Sequence, residues 1–107
     1  MERNPFPGDG LLDDDLVTDE ILELRSLYFD YLGGEIATFR SLLARRALEE
    51  IRELGHRLKG SGGSYGFHDV SKLGETIQYL PDPAEWNEVE TLFHRLEEMY
   101  ERIAEGL

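Results

Sequence analysis

Apolar residues recur at three- and four-residue steps along most of this 107-residue chain, the period of a helix with one buried face. Leu24, Tyr28, Leu32, Ile36, Phe39 and Leu43 form the first such run, and Gly33-Gly34 interrupts its composition but not its register. The run predicts one long helix ending near Arg45, bent at the glycines, with a true break there as the alternative. Thr18, followed by Asp19 and Glu20, reads as its N-cap, with acids where the helix dipole favours them. A tight connection at 45–47 leads into a second helix. There Ile51, Leu54, Leu58, Ser61, Gly62 and Tyr65 share the inward side, and Gly66 is placed to end the helix as a left-handed cap. Asp69 is placed to cap a third helix with Val70, Leu73, Ile77 and Leu80 on one face. In "PDPAEW", Asp82, Pro83 and Glu85 fit the N-cap, N1 and N3 positions of a capping box. The helix they open carries Trp86, Val89, Phe93, Leu96, Tyr100 and Ile103, a spacing suited to a bundle seam.

No stretch alternates with the period of a strand. The expected fold is all-α, an antiparallel four-helix bundle over residues 11–107. LLDDDLV (11–17) would form a short N-terminal helical cap, and residues 1–10, with two prolines and two glycines, a flexible tail. The length suits one domain with one core.

Composition removes several function classes. There is no cysteine, which excludes disulfides and Cys-ligated zinc or iron–sulfur sites and agrees with a cytoplasmic protein. A net charge of −12 argues against nucleic acid and anionic membrane surfaces, both of which would repel the chain. No apolar run approaches the roughly 20 residues that span a bilayer. The start of the chain lacks the layout of a secretory signal. The starting methionine and the tail favour a free-standing protein, expected to be monomeric.

One segment breaks the helical economy. "HRLKGSGGSYGF" (56–67) places four glycines in seven residues of a helical pattern, each costing a helix interior about 0.5–1 kcal/mol relative to alanine. At 100° per residue His56 lies opposite the inward stripe, on a face shared with Glu49, Arg52, Lys59, Gly60 and Gly63. Residues 45–59 hold five of the chain's eleven basic residues, Arg45, Arg46, Arg52, Arg57 and Lys59. A neutral imidazole is a nucleophile, and a cation at +3 would hold a phosphoryl group once attached. Glycines at +4 and +7 clear space for another macromolecule to reach the ring. An ordinary solvated histidine is the competing reading.

These residues carry a resemblance. His56, Lys59, Gly60, Ser61 and Gly66 look like the signature of histidine-containing phosphotransfer (HPt) domains, and KLGETIQ (72–78) is similar to the third helix of those fused to hybrid sensor kinases. The resemblance covers roughly residues 20–105. It implies a four-helix bundle whose exposed histidine accepts a phosphoryl group from a receiver-domain aspartate and passes it to another. It also implies that Gln78 hydrogen-bonds the histidine. On this reading His56 is the phosphoryl acceptor, with Lys59 and Gln78 supporting it. Arg52, Arg57, Gly60 and Gly63 would face the partner, and Gly66 and Gly74 would be structural, Gly74 by letting two helices approach. The partners are receiver domains of response regulators or hybrid kinases, which would supply Mg²⁺ and the acyl phosphate. The chain itself needs no cofactor and is a carrier rather than an autonomous kinase. Gly55 departs from the alanine usual in the family.

Other chemistry is thin. His68 at a helix junction and His94 off the seam read as surface residues, no metal-ligand spacing such as H-E-x-x-H occurs, and no G-x-x-x-x-G-K-[ST] loop is present. The alternative function class is a helical docking module that binds receiver or kinase domains without phosphotransfer. Phosphotransfer requires His56; docking alone does not.

Overall fold

A computed structural model of the protein describes residues 19–107. The expected tail at 1–10, the helical cap at 11–17 and the Thr18 N-cap lie outside the described residues. Four helices follow one another, α1 (Asp19–Arg45), α2 (Leu48–Tyr65), α3 (His68–Gln78) and α4 (Trp86–Glu105). Each packs on its sequence neighbour and α1 packs on α4, which closes the ring of an antiparallel bundle. Among the described residues there is no strand, and no helix is long and apolar enough to cross a membrane.

The core follows the helical stripes. Tyr28, Leu32 and Phe39 from α1, Ile51, Leu54 and Leu58 from α2, Ile77 from α3, and Val89 and Leu96 from α4 are fully buried. At the end of the first stripe the buried residue is Leu42 rather than Leu43, which is only half-buried against the core. The helix runs unbroken through Gly33-Gly34. A β-carbon on Gly33 would lie 2.9 Å from the Tyr100 hydroxyl of α4, so the missing side chain serves packing rather than a bend.

The connections decide where α2 and α3 sit. Arg46, at φ 51°, turns the chain after α1, and Ala47 N–H donates to Leu42 O across 3.0 Å. Gly66, at φ 85°, ends α2 in the left-handed region, as its sequence position requires. Phe67 N–H donates to Gly62 O (2.7 Å) and Gly66 N–H to Gly63 O (3.3 Å), the two bonds of a Schellman motif. The Phe67 ring stacks on Tyr28 at 5.0 Å, which anchors the turn to the core.

Two helix starts differ from expectation. α3 begins at His68 with Phe67 at the N-cap, not at an Asp69 cap, because the compact turn after Gly66 leaves one residue before helical geometry resumes. α4 begins at Trp86, not after Asp82. Glu85 has extended backbone at the N-cap and its carboxylate accepts from Asn87 N–H at 3.3 Å, a cap that leaves Asp82 and Pro83 in the connection.

Candidate functional site

The site is built where α2 and α3 cross, and the crossing is unusually close because glycine faces backbone. A β-carbon on Gly55 would lie 2.5 Å from Gln78 N and 2.7 Å from Gly74 O. One on Gly74 would lie 2.7 Å from Gly55 O and would press into Lys59 N. About two turns beyond Gly55 on α2, a β-carbon on Gly62 would meet Ser71 N at 2.6 Å. The three glycines therefore sit in the seam itself. Ser71 ties it: its hydroxyl donates to Lys59 O at 2.8 Å.

This seam brings the α3 side chains against the outward face of α2. His56 is exposed, and its Nδ1 lies 3.0 Å from Gln78 Nε2. Nε2 is the ring nitrogen that Gln78 does not engage. With the amide nitrogen towards the ring, Nδ1 accepts, which pairs with the neutral tautomer protonated at Nε2. Gln78 Oε1 is buried with no hydrogen-bond partner among the described residues. A half-turn of the amide would put Oε1 against an Nδ1–H and leave the lone pair on Nε2. The same side chain can thus hold the ring in either tautomer.

The cations separate into three environments. Lys59 Nζ reaches across the seam to Glu75 Oε2 at 3.3 Å, with both side chains partly exposed. Arg52 borders the depression that holds His56, together with Glu49, Glu53, Arg57 and Gln78, and its Nε donates to Leu80 O at 2.9 Å. Arg57 turns towards α1, where Nε and Nη2 each donate at 3.0 Å to the two oxygens of Glu35. Glu35 is buried and also accepts from the Tyr31 hydroxyl at 2.7 Å. The Glu35 carboxylate raises the pKa of Arg57 beyond its ordinary value. Burial first, then the Glu35 bond, pushes the Tyr31 hydroxyl up to about 12. Burial likewise pushes Tyr28 above its ordinary value, against the opposing bond to Ser61 at 3.0 Å.

Space around the ring follows the glycines. A β-carbon on Gly60 would meet nothing within 4 Å, and one on Gly63 would meet only Ser71 Oγ at 3.7 Å. These two glycines are therefore not demanded by packing, unlike Gly55, Gly62 and Gly74. His94 lies elsewhere, exposed, with Nδ1 3.0 Å from Glu97. His68 opens α3, also exposed. Among the described residues no group of three or more His, Cys, Asp or Glu is placed to hold a metal ion.

Of the residues singled out from sequence, the structure brings His56, Gln78, Arg52 and Arg57 around one depression, with the Arg57 guanidinium bonded to Glu35 on α1. Gly74 lies in the seam, and Lys59 pairs across it with Glu75. Glu75 escaped the sequence reading, although it stands one helical turn before Gln78 and so on the same strip of α3. Glu35 escaped it too, because an acid inside an apolar stripe carries no mark of its partner.

No curated protein and no solved structure matches the chain. The family model of the Hpt domain, the module of histidine phosphotransfer in phosphorelays that interacts with receiver domains, matches residues 23–106. The chain belongs to the Hpt domain family.

Proposed function

We propose that the protein carries a phosphoryl group on His56 Nε2, taking it from a receiver-domain aspartyl phosphate and passing it to another receiver. The observation that carries this reading is the exposed ring fixed through Nδ1 by Gln78 at 3.0 Å, with a cation one turn away. In the forward step the Nε2 lone pair forms the N–P bond as the aspartyl O–P bond breaks. The carboxylate leaves with that electron pair, and the ring keeps its proton on Nδ1. The product is a phosphoryl dianion on a cationic ring. Lys59 lies within one turn to attract it, and Gln78 Oε1 can accept the Nδ1–H. Charge is conserved, so the reverse step needs no further acid or base. That suits a carrier that works in both directions.

Access supports the same reading. An aspartyl phosphate on another domain reaches Nε2 only if that domain's backbone comes close to α2. Gly60 and Gly63 leave such a path along the His56 face, where Arg52 also lies. Arg57, held by Glu35, orders the α1 side of that face.

The test is incubation with a panel of phosphorylated receiver domains from the same genome. Transfer of label to the wild-type protein and none to His56→Gln is expected. Receivers that bind tightly but never transfer would replace this reading with that of a docking module.

A further inference from the structure

We propose that Glu75 tunes the phosphoryl chemistry of His56 by competing with the phosphoryl group for the Lys59 ammonium; this rests on His56 being the acceptor. Lys59 Nζ lies 3.3 Å from Glu75 Oε2, and the two side chains are 41% and 54% exposed. An ion pair this exposed is weak and exchanges readily. The Lys59 backbone, by contrast, is pinned to α3 through the Ser71 bond to its carbonyl and through the close approach of Gly74 to its amide. The stem is anchored and the charged end is free to choose.

The choice is local. Lys59 stands one turn after His56 on α2 and Glu75 one turn before Gln78 on α3, so the Lys59–Glu75 pair lies one turn along the crossing from the His56–Gln78 pair. The neighbouring cations are engaged elsewhere, Arg52 with Leu80 O and Arg57 with Glu35. A dianionic phosphoryl on Nε2 outbids a single carboxylate for the ammonium. What Lys59 gives up at Glu75 is then subtracted from what it gains. Replacing Glu75 by a neutral isostere removes that deduction.

Potassium phosphoramidate is a small donor that tests this without any receiver. The Nε2 lone pair forms the N–P bond as the donor's own N–P bond breaks, and ammonia leaves with the electron pair from the donor's N-protonated form, so no further proton is needed. The second-order rate of His56 phosphorylation, read by phosphorus NMR, is compared in wild type, Glu75→Gln, Lys59→Gln and the double variant. Glu75→Gln is expected to react about twofold to fivefold faster, the range an exposed ion pair supplies. The gain should fade at high ionic strength and vanish in the Lys59→Gln background. An unchanged rate for Glu75→Gln overturns the proposal. So does an equal gain in both backgrounds, since that would be plain charge repulsion and not competition for Lys59. Failure of the wild type to label on His56 at all would instead overturn the acceptor reading beneath it.

Discussion

Gly55 and Gly74 meet across the α2–α3 crossing so closely that a β-carbon on either would lie 2.7 Å from the other's carbonyl oxygen. The contact is backbone on backbone, so no rotamer change can relieve it. Gly74→Ala should therefore force the helices apart and destabilise the bundle by about 1–3 kcal/mol. The Gln78–His56 bond should weaken with it. Thermal unfolding checks the first effect, and the His56 nitrogen chemical shifts check the second. A Gly74→Ala protein of wild-type stability would mean that the crossing is looser than described.

Gly62 and Gly63 are adjacent but should respond in opposite ways. A β-carbon at Gly62 runs into Ser71 N at 2.6 Å, whereas at Gly63 the nearest atom is Ser71 Oγ at 3.7 Å. Gly62→Leu should lose at least about 1–3 kcal/mol. Gly63→Gln should keep its fold, and the restricted unfolded chain can add about 0.4–1 kcal/mol. Its side chain would project along the His56 face, so receiver transfer should slow. Thermal unfolding and transfer rate measured side by side decide it. Normal transfer by a folded Gly63→Gln would show that the glycine does not serve partner access.

Gln78→Ala removes the bond to His56 Nδ1 from a half-buried position on α3. A bond of this kind is worth on the order of 1 kcal/mol, so transfer should slow several-fold while the bundle stays folded. Nitrogen NMR should also show the two ring tautomers of His56 redistributed relative to wild type. Unchanged tautomers together with unchanged transfer would remove Gln78 from the site.

The Tyr31–Glu35–Arg57 cluster should show in alkaline solution. Tyr31 is pushed up to about 12 and Tyr28 is also raised, so the unfolded chain loses these protons at lower pH than the folded one. Their contribution to stability is intact below the ordinary tyrosine pKa of about 10 and is lost as pH climbs through the folded-state values. Tyr31→Phe should flatten part of that decline. Glu35→Ala should cost on the order of 1 kcal/mol near neutrality by removing the bonds that Arg57 and Tyr31 make to it. Denaturant unfolding across pH 7 to 11 reads both; an identical alkaline slope for Tyr31→Phe would sink the assignment.

Helix number, order and inward faces were legible in the sequence because period and burial coincide: Leu54 and Leu58, or Val89 and Leu96, announce the core by spacing alone. Gly66 was legible because a glycine after a helical run has one common backbone use, the left-handed cap. Helix starts were less so. Asp82-Pro83 has the chemistry of a cap, yet Glu85 takes the role, since two acids three residues apart offer two possible starts. At the site, the outward face of His56 followed from angle counting, and the Gln78 partner from a family resemblance. In sequence Arg57 groups with Arg52 as partner-facing. It stands one position after His56, 100° around the helix, towards a carboxylate that only the α1–α2 packing reveals. Glu75 was hidden for the same reason, because its role depends on the distance between two helices.

The most direct measurement maps the phosphoryl group itself. Wild type, His56→Gln, His68→Gln and His94→Gln are each incubated with a labelled phosphorylated receiver, and the linkage is tested in acid and in alkali. The expected result is acid-labile, alkali-stable label in all but His56→Gln, with the phosphoryl on Nε2 by phosphorus and nitrogen NMR. Label retained by His56→Gln, or found on His68 or His94, would contradict the account.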